Sequence, residues 1–471
     1  MKSRLKNTSL QKGLVIAIMA FTLQSCFVAK DYTRPEVTET ENLYRTDNLP
    51  SDSISMANIS WKNLFTDTYL NQYIEEGLQN NMDVRIAIQQ MVAAEAYAKQ
   101  GKAGYLPSVS VGANATHQEL SKNGQFGSIF GGGIDQYDVT ANLSWEADIW
   151  GKIRSNKRAS AASYLQSVAA HKAVKTQLIA SIATTYYQLL ALDSQLEITK
   201  KTIESRKNGV ETIKALKDAG LTNQVAVDQN IAQYNSTRAL QVDIETAIFK
   251  TENTLSILLG KSSQKFERSH LTNQIIETEL KLGVPSTLLS NRPDVMAAEY
   301  NLIQSFELSN VARSNFYPSL KLTASGGFQS LNLDNLIDTN SLFATILGGL
   351  TQPIFNKRSL KTQREVALAQ QEQSLLQFKK ALLVAGNEVS NALFTYTSET
   401  KKFEFRKNEV EALRKAEQNS EELLKNGYAT YLDLLTARQS ALSAELSVID
   451  SKLQQLVSIV DLYEALGGGW Q

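Results

Sequence analysis

Residue types that commonly carry out chemistry are few and widely separated in this chain. Its three histidines are His117, His171 and His270, and its single cysteine is Cys26. A metal centre brings several ligands together, and a nucleophile needs a base beside it. The spacing of these residues fits neither arrangement, and no glycine-rich phosphate loop precedes a helix. We therefore predict no enzymatic activity, no cofactor and no metal site.

Cys26 stands where a lipid is commonly attached. A basic segment at residues 2–12 precedes an apolar run, Gly13–Leu23, which is too short to span a bilayer but suits a signal peptide. The run ends in Leu-Gln-Ser before Cys26, which resembles a lipobox. We predict that residues 1–25 are removed and that Cys26 is acylated. The alternative is a chance cysteine after an ordinary signal peptide.

Composition restricts the choice of partner. The 48 basic and 48 acidic residues cancel, which gives no sign of a nucleic-acid partner.

Phe27, rather than an aspartate, follows Cys26, and by resemblance to known lipoprotein sorting this favours the outer membrane. Few prolines and many Ala, Gln, Leu, Lys and Glu residues indicate a mainly helical protein.

The same series of motifs occurs twice along the chain, as an internal repeat. The spacing from Asp83 to Pro107 returns between Asp294 and Pro318, and Gly427 follows Gly220 at a similar offset of about 210 residues. A period of that length is too long for a solenoid. It indicates a duplicated architectural unit.

Each copy contains a predicted pair of strands, at residues 108–146 and 319–352. Val109, Val111 and Ala113 alternate with polar residues, and the later strand near Leu342–Thr351 has a less regular alternation. Strands of about ten residues suit a tilted membrane span. The alternative is a soluble β-subdomain packed on an apolar core.

Long helices follow each strand pair. In the second copy seven apolar residues recur at every seventh position, and the first copy has a similar seam. These residues are Leu368, Leu375, Leu382, Val389, Tyr396, Phe403 and Val410. A strict seven-residue repeat is typical of supercoiled helices. We predict two coiled-coil hairpins that turn near Gly220 and Gly427, and a helix that starts at Arg292-Pro293-Asp294.

Four strands are too few to close a barrel in a membrane, since the smallest membrane barrels have about eight. An open sheet in lipid would leave backbone groups unpaired along its edges. If the strands enter a membrane, several copies of the chain must share one barrel.

Several segments together resemble the TolC-type outer-membrane efflux channels, in the lipoprotein (NodT-like) branch that serves resistance-nodulation-division pumps. They are Cys26 with Asp31-Tyr32 and Pro35, Trp61 with Phe65, Leu106-Pro107, Leu282–Ser286, Leu288–Val295, Ala298-Glu299 and Phe316-Tyr317-Pro318. The resemblance runs from Cys26 to about residue 469.

The resemblance implies the assembly and the partners. Three copies would share a twelve-stranded β-barrel in the outer membrane, above an α-helical periplasmic tunnel. The partners would be a periplasmic adaptor, an inner-membrane resistance-nodulation-division transporter and the outer-membrane lipid. The adaptor would contact the helix tips at Gly220, Leu221, Gly427 and Tyr428.

The resemblance also implies a periplasmic gate at the second tip. When the chain is aligned through Gly427, Leu432 takes the position of a constricting apolar residue and Asp433 that of an inward-facing acid. Thr436 stands where many relatives carry a second aspartate. We expect Leu432 to restrict the aperture more than Asp433 does. Asp433 on an ordinary solvated face is the alternative.

The predicted organisation has five segments. They are a signal peptide (1–25), a lipid-anchored tether (26–60), a first repeat (61–260), an equatorial linker (261–290) and a second repeat (291–471). We predict a channel that conducts passively, without a substrate that the sequence can name. A non-conducting coiled-coil lipoprotein that spans the periplasm is the alternative, although such a spacer needs no lipid-facing strands.

Overall fold

The computed structural model describes residues 28–36, 59–121, 123–124, 133–274 and 291–470. The predicted signal peptide and Cys26 lie outside them. The first part of the chain forms α1 (Trp61–Leu64), α2 (Thr68–Asn80), α3 (Met82–Ala103), β1 (Ser108–Glu119), β2 (Gly133–Ala147), α4 (Lys152–Asp218) and α5 (Gln224–Leu258). The second part forms α6 (Pro293–Ser314), β3 (Ser319–Ser330), β4 (Leu342–Thr351), α7 (Ser359–Lys425) and α8 (Tyr431–Ala465).

The helices show the duplication directly. Helices α4 and α7 each have 67 residues, α5 and α8 each have 35, and α3 and α6 each have 22. Both predicted hairpin turns lie between the paired long helices. The prediction of a mainly helical, twofold-repeated fold with four strands is therefore confirmed. None of the described helices is both long enough and apolar enough to cross a bilayer.

Two compact units divide the chain. One unit comprises the described parts of Met1–Glu36, Val92–Gln166 and Ala298–Phe378. It contains all four strands. The other comprises the described parts of Val37–Met91, Ser167–Ala297 and Lys379–Gln471, and it contains both helical turns.

The first unit has a single four-stranded antiparallel sheet in the order β1-β2-β3-β4. Ala113 pairs with Val139, which in turn pairs with Phe328. Leu322 pairs with Trp145 on one side and Gly348 on the other. The strands of 10 to 15 residues fall at the two predicted pairs.

An extended N-terminal segment, Val28–Glu36, lies along α6 in the same unit. The backbone N–H of Lys30 donates to Asn310 Oδ1 at 3.2 Å, and Asn310 Nδ2 donates to the Lys30 carbonyl at 2.9 Å. Arg34 makes a two-pronged ion pair with Glu299, both bonds being 2.6 Å. The first part of the predicted tether is therefore fixed on the helix.

The second unit has an apolar core between its helices. Ile182, Leu189 and Tyr186 on α4 are fully buried, as are Leu70 and Ile74 on α2. Further fully buried side chains come from α7 and α8, including Val389 and Val460. Ile182, Leu189 and Val389 belong to the predicted apolar repeats, whereas Leu368 of the same repeat on α7 is 44% exposed.

A polar network secures the start of the predicted linker to this core. Asp67 caps α2 by accepting from the N–H groups of Tyr69 and Leu70, and Tyr186 donates its hydroxyl to the same carboxylate at 2.9 Å. Ser269 also donates to Asp67. The segment after α5 is therefore joined to α2 and α4 through one carboxylate.

Candidate functional site

The first helical tip is a tight turn between α4 and α5. Gly220 has φ +77°, its N–H donates to the Lys217 carbonyl at 2.8 Å, and the Leu221 N–H donates to the Leu216 carbonyl at 2.9 Å. This pattern closes a helix through a left-handed glycine. Asn223 then caps α5 by accepting from the Ala226 N–H at 3.1 Å. Leu221 is 74% exposed at the end of the hairpin.

The second tip has the same backbone geometry. Gly427 has φ +76°, and the Tyr428 N–H donates to the Leu423 carbonyl at 2.8 Å. Tyr428 is 83% exposed. Both tips therefore present one large apolar or aromatic side chain directly after the glycine. Their proposed contact with an adaptor remains a prediction.

Helix α8 begins with a reciprocal capping box. The Asp433 carboxylate accepts from the backbone N–H of Thr430 at 2.8 Å and from its hydroxyl at 2.6 Å. The Asp433 N–H donates to the Thr430 hydroxyl at 3.3 Å. This arrangement satisfies N–H groups that the first helical turn would otherwise leave unpaired. Asp433 therefore has a structural role, and the Thr-x-x-Asp spacing from Thr430 is its sequence signal.

The three predicted gate residues lie together on the first turns of α8. Leu432 is 57% exposed, and Thr436 donates its hydroxyl to the Leu432 carbonyl at 2.9 Å. The hydrogen bonds from Thr430 lower the pKa of Asp433 below its usual value, so this carboxylate is ionised at neutral pH. One apolar and one anionic side chain are thus presented side by side.

A buried arginine lies in the helices behind the tips. Arg206 of α4 donates to the carbonyl and to the side-chain oxygen of Gln233 on α5, at 2.8 and 2.7 Å. It also donates to Gln439 Oε1 on α8 at 2.7 Å. Burial lowers the pKa of Arg206. Arg206 joins three helices through neutral partners.

Tyr431 and Arg438 extend this connection. The hydroxyl of Tyr431 donates to Asn230 Oδ1, which joins α8 to α5. Arg438 pairs with Glu421 at 3.2 Å and approaches Glu417 at 3.6 Å, which joins α8 to α7. No local sequence pattern predicts this cluster, because its partners are far apart along the chain. Its only sequence signal is the presence of polar residues on otherwise apolar faces.

Each repeat also has a joint, where a long-hairpin helix ends against the start of a shorter helix. In the first joint, Asn81 Nδ2 donates to the Leu258 carbonyl at 2.9 Å. In the second, Arg292 Nη1 donates to the Ala465 carbonyl at 2.9 Å. Arg292 also pairs with Asp294 and Glu388, each at 2.6 Å. The predicted helix start at Pro293 is confirmed. Arg292, directly before it, is buried and joins α6 to α7 and α8.

The sheet in the first unit has two free edges. Among the described residues, β1 pairs only with β2, and β4 pairs only with β3. Apolar side chains on both edge strands are strongly exposed, including Val111 (74%), Ile346 (76%) and Leu350 (66%). An apolar sheet with unpaired edges requires further strands and an apolar surrounding.

Aromatic residues gather where the strands meet the helices. Trp150 stacks on Tyr317 with ring centroids 4.9 Å apart and donates its indole N–H to the Pro318 carbonyl at 2.8 Å. Trp145 donates its indole N–H to the Tyr105 carbonyl at 3.0 Å. Rings with a satisfied polar atom are typical of the boundary between lipid and water.

The histidines do not form a site. His117 lies in β1 beside Asp135 at 2.7 Å, whereas His171 lies on α4 and His270 precedes the short turn at Leu271–Asn273. Within the described ranges, no group of three or more His, Cys, Asp and Glu side chains is arranged to hold a metal ion.

These features define a membrane-embedded channel subunit: an apolar sheet with unpaired edges and two long helical hairpins. The family model for outer membrane efflux proteins matches residues 73–261 and 284–468, one match in each repeat. The chain belongs to this family. It is an outer-membrane channel component of an efflux system, and it extends into the periplasm.

Individual relatives agree with this family over nearly their whole length. The chain is 27% identical over 463 residues to the toluene efflux pump outer membrane protein TtgC of Pseudomonas putida, covering 97% of this chain and 95% of that protein. It is 26% identical over 453 residues to the probable outer membrane lipoprotein SilC of Salmonella typhimurium, covering 96% and 97%. The solved outer-membrane channel OprN superimposes with a TM-score of 0.85 at 25% identity, covering 94% and 100%.

Proposed function

We propose that three copies of this chain form a passive exit duct across the outer membrane. The observation that carries the proposal is the sheet with its two unpaired, apolar edges. Strands β1 and β4 run antiparallel to one another, since each of the three successive pairs is antiparallel. The β4 edge of one copy therefore matches the β1 edge of the next in direction, and twelve strands exceed the number that a membrane barrel needs.

The exposed helix tips are proposed to meet a periplasmic adaptor. The contact would use Gly220, Leu221, Gly427 and Tyr428, where two large side chains are strongly exposed. Surfaces with exposed aromatic and apolar side chains are common at protein interfaces. A resistance-nodulation-division transporter in the inner membrane would supply the energy through this adaptor.

The gate is proposed to lie at the start of α8. Leu432 would narrow and dry the aperture, and the ionised Asp433 would attract cations at the same level. Thr436 is uncharged, so the negative ring would hold one acid per copy. A lipid on Cys26 would add to the membrane anchoring that the barrel provides.

The cargo is proposed to be selected by the pump. Relatives of this chain are named for antibiotic, toluene and cation efflux, which are chemically different substrates. A duct that serves such different cargoes has no need for one specific binding pocket in its wall.

Native mass spectrometry of the detergent-purified protein tests the shared barrel. We expect the mass of three chains, because the sheet edges need partners in an apolar environment. A stable monomer with native β-content in circular dichroism would contradict the proposal. A trimer that gives no conductance in planar bilayers would favour the non-conducting coiled-coil lipoprotein instead.

A further inference from the structure

The two faces of the four-stranded sheet differ in chemistry. Successive side chains of a strand point to opposite faces, and residues opposite one another in the ladder share a face. One face is apolar, and on β2 its members are Tyr137, Val139, Ala141, Leu143 and Trp145. The other face consists mainly of Ser, Thr, Asn, Gln and Gly. One complete row of it, across all four strands, is Ser110, Asn142, Ser325 and Thr345.

The polar face is the concave one. A hollow of about 340 Å³ lies against it, and its lining includes the row from Ser110 to Thr345 together with Ser144 and Thr323. A sheet that closes into a barrel encloses the face toward which it bends. The polar face therefore faces the lumen of the proposed shared barrel, and the apolar face meets lipid.

Charged side chains are rare on the polar face. Within the described strands they are Asp138, Glu146 and Lys321. Glu146 stands opposite Lys321 in the ladder and also forms an ion pair with Lys152 at 2.9 Å. The charge of Glu146 is therefore compensated by neighbouring lysines.

Asp138 has a different environment. Its Oδ2 accepts from Asn114 Nδ2 at 2.9 Å and from the Thr140 hydroxyl at 3.1 Å. Both donors are neutral, so they orient the carboxylate without cancelling its charge. Among the charged side chains of the polar face in the described strands, Asp138 is the acid without a cationic partner.

Asp138 lies toward the end of the sheet that is remote from the helices. The opposite end is marked by Trp145, whose indole N–H donates to the Tyr105 carbonyl. Asp138 is seven positions from Trp145 along β2. At about 3.4 Å per residue this separation is roughly 24 Å along the strand, which is similar to the height of the apolar band of a membrane barrel. Because the helices extend into the periplasm, Asp138 lies at the external mouth.

We propose that Asp138 is a charge-selectivity residue of the duct, with one carboxylate from each copy forming a ring at the external mouth. The inference rests on the proposed trimeric barrel. Fixed carboxylates around a water-filled lumen raise the local concentration of cations and lower that of anions. The ring acts over about 10 Å at 0.1 M salt, so its effect is largest at low ionic strength. It is separate from Asp433, which belongs to the other compact unit.

Asp135 provides a matched control on the same strand. It precedes Asp138 by three residues, so the two carboxylates lie at similar heights on opposite faces of the sheet. Asp135 stands beside His117, 2.7 Å away, on the face directed away from the lumen. Asp135→Asn and Asp138→Asn therefore remove the same charge, but only Asp138→Asn removes it from the lumen.

Reversal potentials of single trimers in planar bilayers under a KCl gradient test the proposal. The variants are recorded in the full-length chain and again with Asp433→Ala, so that the proposed gate acid does not mask the effect. We expect Asp138→Asn to lower the permeability ratio of K⁺ to Cl⁻ by about twofold at low ionic strength, and by less at high ionic strength. Asp135→Asn should leave the ratio unchanged. Asparagine keeps the size of the side chain and an oxygen that can accept from Asn114 and Thr140.

Three results would overturn the proposal. They are an unchanged permeability ratio in Asp138→Asn when Asp433→Ala is also present, an equal change in Asp135→Asn, and an effect of Asp138→Asn that does not decrease with salt. Native mass spectrometry identifies any variant that fails to assemble, and Asp138→Glu then tests the same charge with the carboxylate retained. Trimer mass and conductance of the parent measure the duct itself. An unselective ring in a conducting trimer would therefore refute the role of Asp138 alone.

Discussion

The two joints have one backbone design and two different sets of side chains. Gly260 and Gly467 have φ +67° and +85°, and each lies so close to a carbonyl, that of Asn80 or Asn291, that a Cβ would be 2.5 Å away. The connector across the first joint is a neutral asparagine, whereas in the second it is Arg292 with two acids. The two joints thus share one backbone geometry, while the side chains that connect across them differ.

The two tips differ in the same way. Both turn through a left-handed glycine, but α5 begins with a single asparagine cap and α8 begins with a capping box that contains an acid. The second tip therefore has a carboxylate in its helix cap, whereas the first tip has a neutral amide. Both comparisons show one backbone geometry with different side chains in the two repeats.

Gly467→Ala should give the largest effect on stability. The added methyl group would clash with the Asn291 carbonyl, and the alanine would have to adopt a positive φ. We therefore expect the free energy of unfolding to fall by about 3 kcal/mol. Gly427→Ala is the matched control, because its Cβ would meet open space. Only the positive φ disfavours this alanine, at a cost of about 1 kcal/mol. Thermal unfolding of the purified trimers measures both. Equal losses would show that the joint is looser than described.

Arg292→Ala should destabilise more than Asn81→Ala. The first removes two ion pairs and a bond to the Ala465 carbonyl, at a cost of about 2 kcal/mol. The second removes a cap and one neutral bond to the Leu258 carbonyl, at a cost of about 1 kcal/mol. The midpoints of denaturant unfolding measure the difference in stability, provided that the m-value is the same in both variants. If Asn81→Ala proves the more harmful, the charged connector is not the stronger one.

Glu464→Gln should stabilise the protein increasingly as the pH rises from about 4.5 to about 7, and by a constant amount above that. The pKa of Glu464 is raised to about 7 in the folded state, so the fold binds a proton that the unfolded chain releases above its ordinary pKa near 4.5. The stability that this protonation contributes is fully present below pH 4.5 and is lost progressively as the pH rises from there to about 7. We expect the variant to unfold at a higher temperature than the parent at pH 8, and at the same temperature at pH 4. A constant difference across this range would contradict the assignment.

Thr430→Ala and Asn223→Ala should give the smallest and most local effects. Each removes an N-terminal cap, which costs about 1 kcal/mol within the affected turn. Because Thr430 takes part in a reciprocal box, its loss should also free the Asp433 carboxylate. Hydrogen exchange at the two tips measures both changes. Greater exchange after Asn223→Ala than after Thr430→Ala would remove the distinction between the tips.

Sequence periodicity predicted the elements well and the polar connections poorly. The glycines at both tips, the heptad seams and the alternating strands each reflect local geometry, and all four strands fall at the predicted pairs. The partners of Arg206 and Arg292 are separated from them by up to 233 residues, so no local pattern could reveal them. Asp461 and Glu464 resemble ordinary helix charges in the sequence, and only the packing of the helices shows that they are partly buried.

Single-channel conductance in planar bilayers tests most directly whether the second tip is the gate. Leu432 and Leu221 are exposed leucines at the second and first tip, so Leu221→Ala is the natural control for Leu432→Ala. Asp433→Ala, recorded alongside, should mainly reduce cation selectivity. We expect Leu432→Ala to raise the conductance of intact trimers and Leu221→Ala to leave it unchanged. An unchanged conductance in Leu432→Ala, or an equal rise in both leucine variants, would contradict the account.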